Sequence, residues 1–364
     1  MVNKLVIENL KFRPVRTALS ILAVGIEVTL MLTIVGLSYG MLADSQQRAK
    51  GVGADIIIRP PGSSVLSLTS APLSEKYVAW VQRQPHVKMA VGSMNHPVSG
   101  LTTITGIDLD GFNRMSGGFR YIEGRPPMEP DEILVDRYYA RQNNLRANSK
   151  VNLLNREWRI SGIIEEGRLA RLVVPLKVLQ QATSNTDRIS QIYVTVDDPA
   201  NTDAVIKDLK SKLEGFQIYS MPELLSLLSV DNVPGLRAFI YVIIGLSVVV
   251  GFLVVFLSMY TSVLERTREI GVLKALGATP GFVLSILFRE TVLLAILGSL
   301  LGIVFSYGTR WLVMTFVPAS LSQLIVPGWW PIATAIALAG ALLGTAYPGW
   351  RAARQDAIEA LAYE

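Results

Sequence analysis

YTSVLERTREIGVLKALGATPGFVLSILFRE, residues Tyr260 to Glu290, is a charged, helix-prone stretch set between two long apolar runs. Ile270, Leu273 and Leu276 recur at helical spacing while Glu265, Arg266, Arg268 and Glu269 crowd one end, which predicts a short amphipathic helix. Gly277 follows the last periodic residue, where a left-handed cap is favoured. Thr279 and Pro280 then supply an N-cap and a proline for the first position of a new helix. The bland alternative is a loop whose basic residues only fix topology. A loop of that length needs neither an apolar face nor a cap at each end, whereas a capped helix bearing both signs of charge can dock into a cleft on a soluble partner.

Working outward, half of the chain is apolar, and four runs reach the ~20 residues that a helix needs to cross a bilayer core. Spanning helices are predicted over 17–43, 237–263, 281–317 and 331–350. An amphipathic N-terminal helix over 1–16 lies on the inner leaflet, with Val2, Leu5, Val6, Ile7 and Leu10 as its apolar residues. The first apolar run is too long for a signal peptide and no small-x-small cleavage site follows it, so an uncleaved anchor is expected. Lys4, Lys11, Arg13 and Arg16 precede the first run. Arg266, Arg268, Lys274 and Arg289 lie between the second and third, and Arg351 and Arg354 follow the fourth. The basic bias puts both termini and the docking segment 264–280 in the cytosol, with the tail at 351–364. The large segment 44–236 and the short loop 318–330 are then outside.

Composition excludes several functions. The outer segment carries basic and acidic residues in near balance, so the net charge of +5 comes from the cytosolic flanks and no nucleic-acid partner is expected. There is no cysteine, and His86 and His96 alone cannot build a metal site. The sequence holds no glycine-rich phosphate loop ending in Lys-Ser/Thr, no nucleophile elbow and no His-Glu-x-x-His. Neither a catalytic site nor a cofactor is expected in this chain, and a membrane-bound enzyme lacks candidate residues.

The outer segment is predicted as a large α+β domain. A strand at 54–59, a serine-capped helix at 74–84 and a strand at 87–91 form one β-α-β unit. A second follows at 191–196, 203–213 and 216–219, with Val205, Ile206, Leu209 and Leu213 at helical spacing. Between them, 121–166 is predicted as a small β-rich insertion with short runs at 150–154 and 157–164, its charged residues taken as solvated.

Glu27 lies within the first apolar run, with Ser20 and Ala23 on its face, so it should point into a helix interface and not at lipid. A structural hydrogen bond and a substrate or proton contact both remain open for it. Gly36 and Gly40, Gly298 and Gly302, and Gly340 and Gly344 are small-xxx-small pairs that let helices approach closely.

Two motifs carry a family resemblance. ERTREIGVLKALGA, Glu265 to Ala278, resembles the signature of FtsX/MacB-like ABC transporter permeases, and YPGWRAARQDAIEALAYE, Tyr347 to Glu364, is similar to the closing motif of that family. Pro348, Arg351, Arg354, Glu359 and Leu361 match it; Ala357 stands where proline is usual. In the outer segment Gly124 and Arg125, Asp131 and Glu132, and Gly162 and Ile163 also match.

The resemblance implies that Glu265, Arg266, Arg268, Glu269, Ile270, Gly271, Leu273, Lys274, Leu276 and Gly277 form an ATPase-coupling helix. It further implies a type VII, mechanotransmission permease of the bacterial inner membrane, with the outer domain periplasmic. Two copies of a separate ATPase subunit would hold ATP and Mg, and would pair with two permeases, either identical or close paralogues. The complex would export or extract a drug, peptide, lipid or lipoprotein, with a periplasmic adaptor. The alternative is a non-transporting relay that activates an outer partner such as a cell-wall hydrolase. The large two-unit outer domain favours transport.

Overall fold

The computed structural model describes residues 2–63, 71–99, 102–317 and 321–356. The chain forms two compact units. One comprises 1–38, 235–313 and 323–364, and the other 39–234 with 314–322.

In the first unit, helix Val2–Phe12 precedes four helices long and apolar enough to cross a membrane: Pro14–Lys50, Leu236–Glu265, Pro280–Phe316 and Trp329–Arg354. Each outlasts its predicted run at one end or both. At 1.5 Å per residue the 37 residues of the first extend ~55 Å against a hydrocarbon core of ~30 Å, so this helix continues well past the bilayer. Arg16, expected in the N-terminal helix, belongs to this spanning helix, because Pro14 starts it. The fourth helix likewise runs to Arg354, so the tail expected from 351 begins inside a helix.

Small residues set the helix spacing. A Cβ on Gly298 would stand 2.6 Å from Val24 Cβ, and one on Gly302 would stand 2.7 Å from both Val28 Cβ and the Gly25 carbonyl. The third helix therefore packs backbone-close on the first. Gly344 does the same between the fourth and second helices, where a Cβ would lie 2.9 Å from the Phe252 carbonyl. Gly36 instead accepts an extended segment, its carbonyl taking the Leu324 N–H at 2.9 Å.

The second unit is built on a ten-stranded sheet. Its strands are drawn from β1 (Ile56–Arg59), β2 (Leu73–Ser74), β3 (Val87–Ser99), β4 (Thr102–Ile107), β5 (Tyr121–Gly124), β6 (Glu132–Asp136), β7 (Lys150–Leu153), β8 (Arg156–Ile164), β9 (Leu172–Pro175), β10 (Arg188–Ile189), β11 (Gln191–Val196) and β12 (Gln217–Ser220). The order is β12-β1-β11-β3-β4-β9-β6-β8-β5 with β7 on β8, and β2 and β10 pair separately.

The two predicted β-α-β units are present and interleaved. β11 lies between β1 and β3, β1 lies between β11 and β12, and every one of these contacts is antiparallel. This is a split β-α-β arrangement. Helix Lys76–Gln82 crosses within the first unit and Thr202–Lys212 within the second. The serine cap expected at Ser74 is absent: Ser74 pairs with Arg188 in a strand, and the helix starts at Lys76 without a side-chain cap. The strand pairing holds Ser74 one residue before the N-cap position, which falls on Glu75.

The β-rich segment is the far end of the same sheet, joined through the parallel β4–β9 pair. Alternation in β1 sends Ile56 and Ile58 into the apolar cluster on one face and Ile57 into that on the other. Both faces of the sheet are therefore covered.

Two acidic residues in this domain are not solvated as expected. Glu132, 1% exposed, takes Arg125 Nη2 at 2.7 Å and Nη1 at 2.9 Å and accepts the Met128 N–H at 2.7 Å. Burial alone would raise its carboxyl, but these bonds hold it below the usual range. The matching Gly-Arg turn serves this clasp, because Gly124 has φ +82° and its missing Cβ admits the Ser161 carbonyl. Asp136, 4% exposed, caps helix Arg137–Gln142 by accepting the Tyr139 N–H at 2.7 Å. Beside it, Arg171 donates to Asp44 at 2.7 Å, and Asp44 also takes Arg48. Burial pushes the Asp136 carboxyl up to about 6 against the opposing pull of Arg171.

Leucine in place of Gly302 should overpack the contact between the first and third helices and cost about 1–3 kcal/mol, read as a lower melting temperature of purified protein. Gly308→Ala, where nothing lies within 4 Å, should leave it unchanged. Asp136 binds its proton more tightly folded than unfolded. Its stabilising contribution is therefore complete below its ordinary value of 3.8 and lost as pH rises through about 6. Asp136→Asn should flatten the melting-temperature profile across that window; an unaltered profile would assign the titration to another group.

Candidate functional site

The helix predicted within 264–280 is present as Thr267–Ala275, shorter than that segment, because the second spanning helix continues to Glu265. Arg266 is at once the C-cap residue of the one and the N-cap residue of the other. Gly277 takes φ +95° and the Thr279 hydroxyl accepts the Phe282 N–H at 3.3 Å, so both stop and start signals work as the sequence indicates.

The named residues divide into an inner and an outer set. Ile270 and Gly271 are buried, while Leu273 and Lys274 are half-buried. Arg268, Glu269, Val272 and Leu276 face outward, Val272 at 44% and Leu276 at 80% exposure. The apolar face drawn through Ile270, Leu273 and Leu276 is thus broken, since Leu276 follows the last helical turn and points away. Arg268, Val272 and Leu276, four residues apart, form an exposed charged and apolar ridge.

Charges tie the inner side to the bundle. Glu290, 3% exposed, is approached by Arg266 Nη1 at 3.3 Å and Arg16 Nη2 at 3.9 Å. Arg266 also donates to Glu269 at 3.1 Å, and Arg13 pairs with Glu265. Arg266 is therefore an internal strut and not a surface charge. Lys274 Nζ donates to the Ala353 carbonyl at 2.8 Å and the Gln355 carbonyl at 2.5 Å, closing the C-terminal end of the fourth helix. Through Arg266 and Lys274 this short helix is bonded to the third and fourth membrane helices.

Of the closing motif, Pro348 is buried inside the fourth helix, where Gly344 stands four residues before its ring. Arg351 donates to the Tyr260 hydroxyl at 2.9 Å, and the Arg354 guanidinium lies 4.6 Å from the Trp350 ring centre. Glu359 and Leu361 lie outside the described residues. Glu27 is 5% exposed and apart from this cluster, against Gly251 of the second helix.

Glu290 was missed as a site residue. Its only sequence signal is an acidic side chain at the margin of an apolar run, with arginines far away in sequence at 16 and 266.

The first unit thus carries four long apolar helices with the short helix Thr267–Ala275 between the second and the third. The MacB-like periplasmic core domain matches residues 17–212 and the FtsX-like permease C-terminal domain matches residues 241–357. The chain belongs to the FtsX/MacB-like family of ABC transporter permeases.

Among relatives, it is 31% identical over 211 residues to the uncharacterized ABC transporter permease YknZ of Bacillus subtilis, covering 54% of this chain and 50% of that one. It is 26% identical over 353 residues to the uncharacterized ABC transporter permease Mb2592 of Mycobacterium bovis, covering 93% and 94%. With the macrolide export ATP-binding/permease protein MacB of Chromobacterium violaceum it shares 36% over 152 residues, 41% of this chain and 23% of that. The chain therefore spans half of YknZ and under a quarter of MacB. A crystal structure of the periplasmic region of MacB from Actinobacillus actinomycetemcomitans aligns at TM-score 0.38 and 16% identity, over 51% of this chain and 97% of that one.

Removing the Glu290 carboxylate leaves two guanidiniums without their buried partner. Glu290→Ala should therefore destabilise the protein by about 3–5 kcal/mol, whereas Glu265→Ala, at a half-exposed pair, should cost no more than about 1 kcal/mol. Thermal unfolding of both variants in detergent checks the order.

Proposed function

We propose that this chain couples ATP hydrolysis by a separate ATPase subunit to motion of the domain carried between its first and second spanning helices. One observation supports this most strongly. Helix Thr267–Ala275 exposes Arg268, Val272 and Leu276 on its outer side while Arg266 and Lys274 on its inner side are bonded into the bundle. A push on the ridge reaches the third and fourth spanning helices through the Arg266–Glu290 and Lys274–carbonyl bonds, and the second through the chain itself, instead of dissipating in a loop.

In this reading both termini and the docking helix are cytosolic, in a bacterial inner membrane, and the domain is periplasmic. ATP and Mg belong to two ATPase copies, which sit under two permease copies. The substrate is a drug, peptide, lipid or lipoprotein taken from the outer face, with a periplasmic adaptor as further partner. The macrolide export function in the name of the MacB relative fits that range.

The paired substitution Arg268→Glu and Leu276→Asp alters only outward side chains. It should weaken retention of the ATPase on the tagged, membrane-extracted permease by at least ~10-fold, the loss of about 1.4 kcal/mol or more expected from a docking hot spot. The melting temperature should stay unchanged. Wild-type retention in the doubly substituted protein would remove this helix from the docking role.

A further inference from the structure

We propose that Glu27 is an intramembrane proton-binding site, standing as a neutral carboxylic acid in the contact between the first and second spanning helices. Its side chain is buried within a single copy of the chain, at 5% exposure. Oε1 has no hydrogen-bond partner, and among the described residues no ion pair involves Glu27. Oε2 rests against Gly251, where even a methyl group would collide with it. The carboxyl is thus enclosed by helix backbone at bilayer depth.

An ionised carboxylate in that place would lose its hydration while, among the described residues, Oε1 has no hydrogen-bond donor to replace it, and a bound proton lowers that cost. Glu290 is the internal contrast. It is just as buried, but the Arg16 and Arg266 guanidiniums stand beside it.

The same helix contact holds a second polar pair. Ser20 and Ser258 share a hydrogen bond of 2.6 Å. They lie seven residues from Glu27 and Gly251 respectively, ~10 Å along the helices toward the end that bears Glu290. A void of about 10 Å³ beside them is lined mainly by apolar side chains, among them Val24, Val255, Met259 and Leu294, which favours a dry contact. Loss of the proton would require water to reach Gly251, and so would require the two helices to part. Protonation of Glu27 and closure of this contact are therefore linked.

Infrared difference spectra between wild-type and Glu27→Gln protein in native membranes at neutral pH test this directly. A carboxylic acid carbonyl band lost in the variant is expected; paired carboxylate bands lost instead would overturn the proposal.

A second measurement needs no variant. An apolar carbodiimide reacts with a protonated carboxyl in an apolar site: the acid proton moves to one reagent nitrogen, the carboxyl oxygen bonds the central carbon, and nothing leaves. Peptide mass spectrometry of treated wild-type membranes should show one whole-reagent adduct at Glu27 and none at Glu290. Absence of the Glu27 adduct would count against a protonated side chain there and would overturn the proposal.

Discussion

The Glu290 carboxylate holds two guanidiniums from two other helices, and the membrane unit is arranged around that grip. Arg16 comes from the first spanning helix, and Arg266 from the residue shared by the second spanning helix and the docking helix. Burial makes the arrangement unforgiving. In a low-dielectric site each partner depends on the others for its charge to be tolerated, so the three elements keep one geometry or pay several kcal/mol. Lys274 adds a further attachment at the C-terminal carbonyls of the last helix. Helix Thr267–Ala275 is therefore bonded into the bundle at both its ends.

Above that grip the packing is steric. Gly298 and Gly302 let the first and third helices touch backbone to backbone, and Gly344 does so for the second and fourth. Glu27 uses the same device, occupying the space that a side chain at position 251 would fill. Small residues thus serve two ends in one bundle, close packing and the seating of a large polar side chain.

The domain solves a different problem. Without disulfides it depends on its core, and its ten strands are sealed on both faces by helices. Glu132 and Asp136 occupy the two ends of one fully buried strand. Glu132 is clasped by Arg125, and Asp136 caps a helix beside Arg171. These charges fix β6 at both its ends.

Spanning runs, caps and the two β-α-β units were legible because each is written in local periodicity: 3.6 for helices, 2 for strands, and Gly, Thr and Pro at the boundaries. Gly277 and the Thr279-Pro280 pair behaved as their chemistry requires. What sequence reasoning could not separate was which charges of the cluster 265–269 face outward, since one helical turn presents both sides within four residues. Arg266 turned inward because Glu290 waits there, and Arg268 remained outside. Ser74 was misplaced for a similar reason, as a strand partner more than a hundred residues away claimed its backbone. The sequence by itself determined the membrane class, the order of elements and the existence of a short helix between the second and third spanning helices. The tertiary structure alone decided the interleaving of the two units, the burial of Glu132, Asp136 and Glu290, and the pairing of Glu27 with Gly251. Each of those depends on a partner distant along the chain, and local propensity carries no information about distant partners.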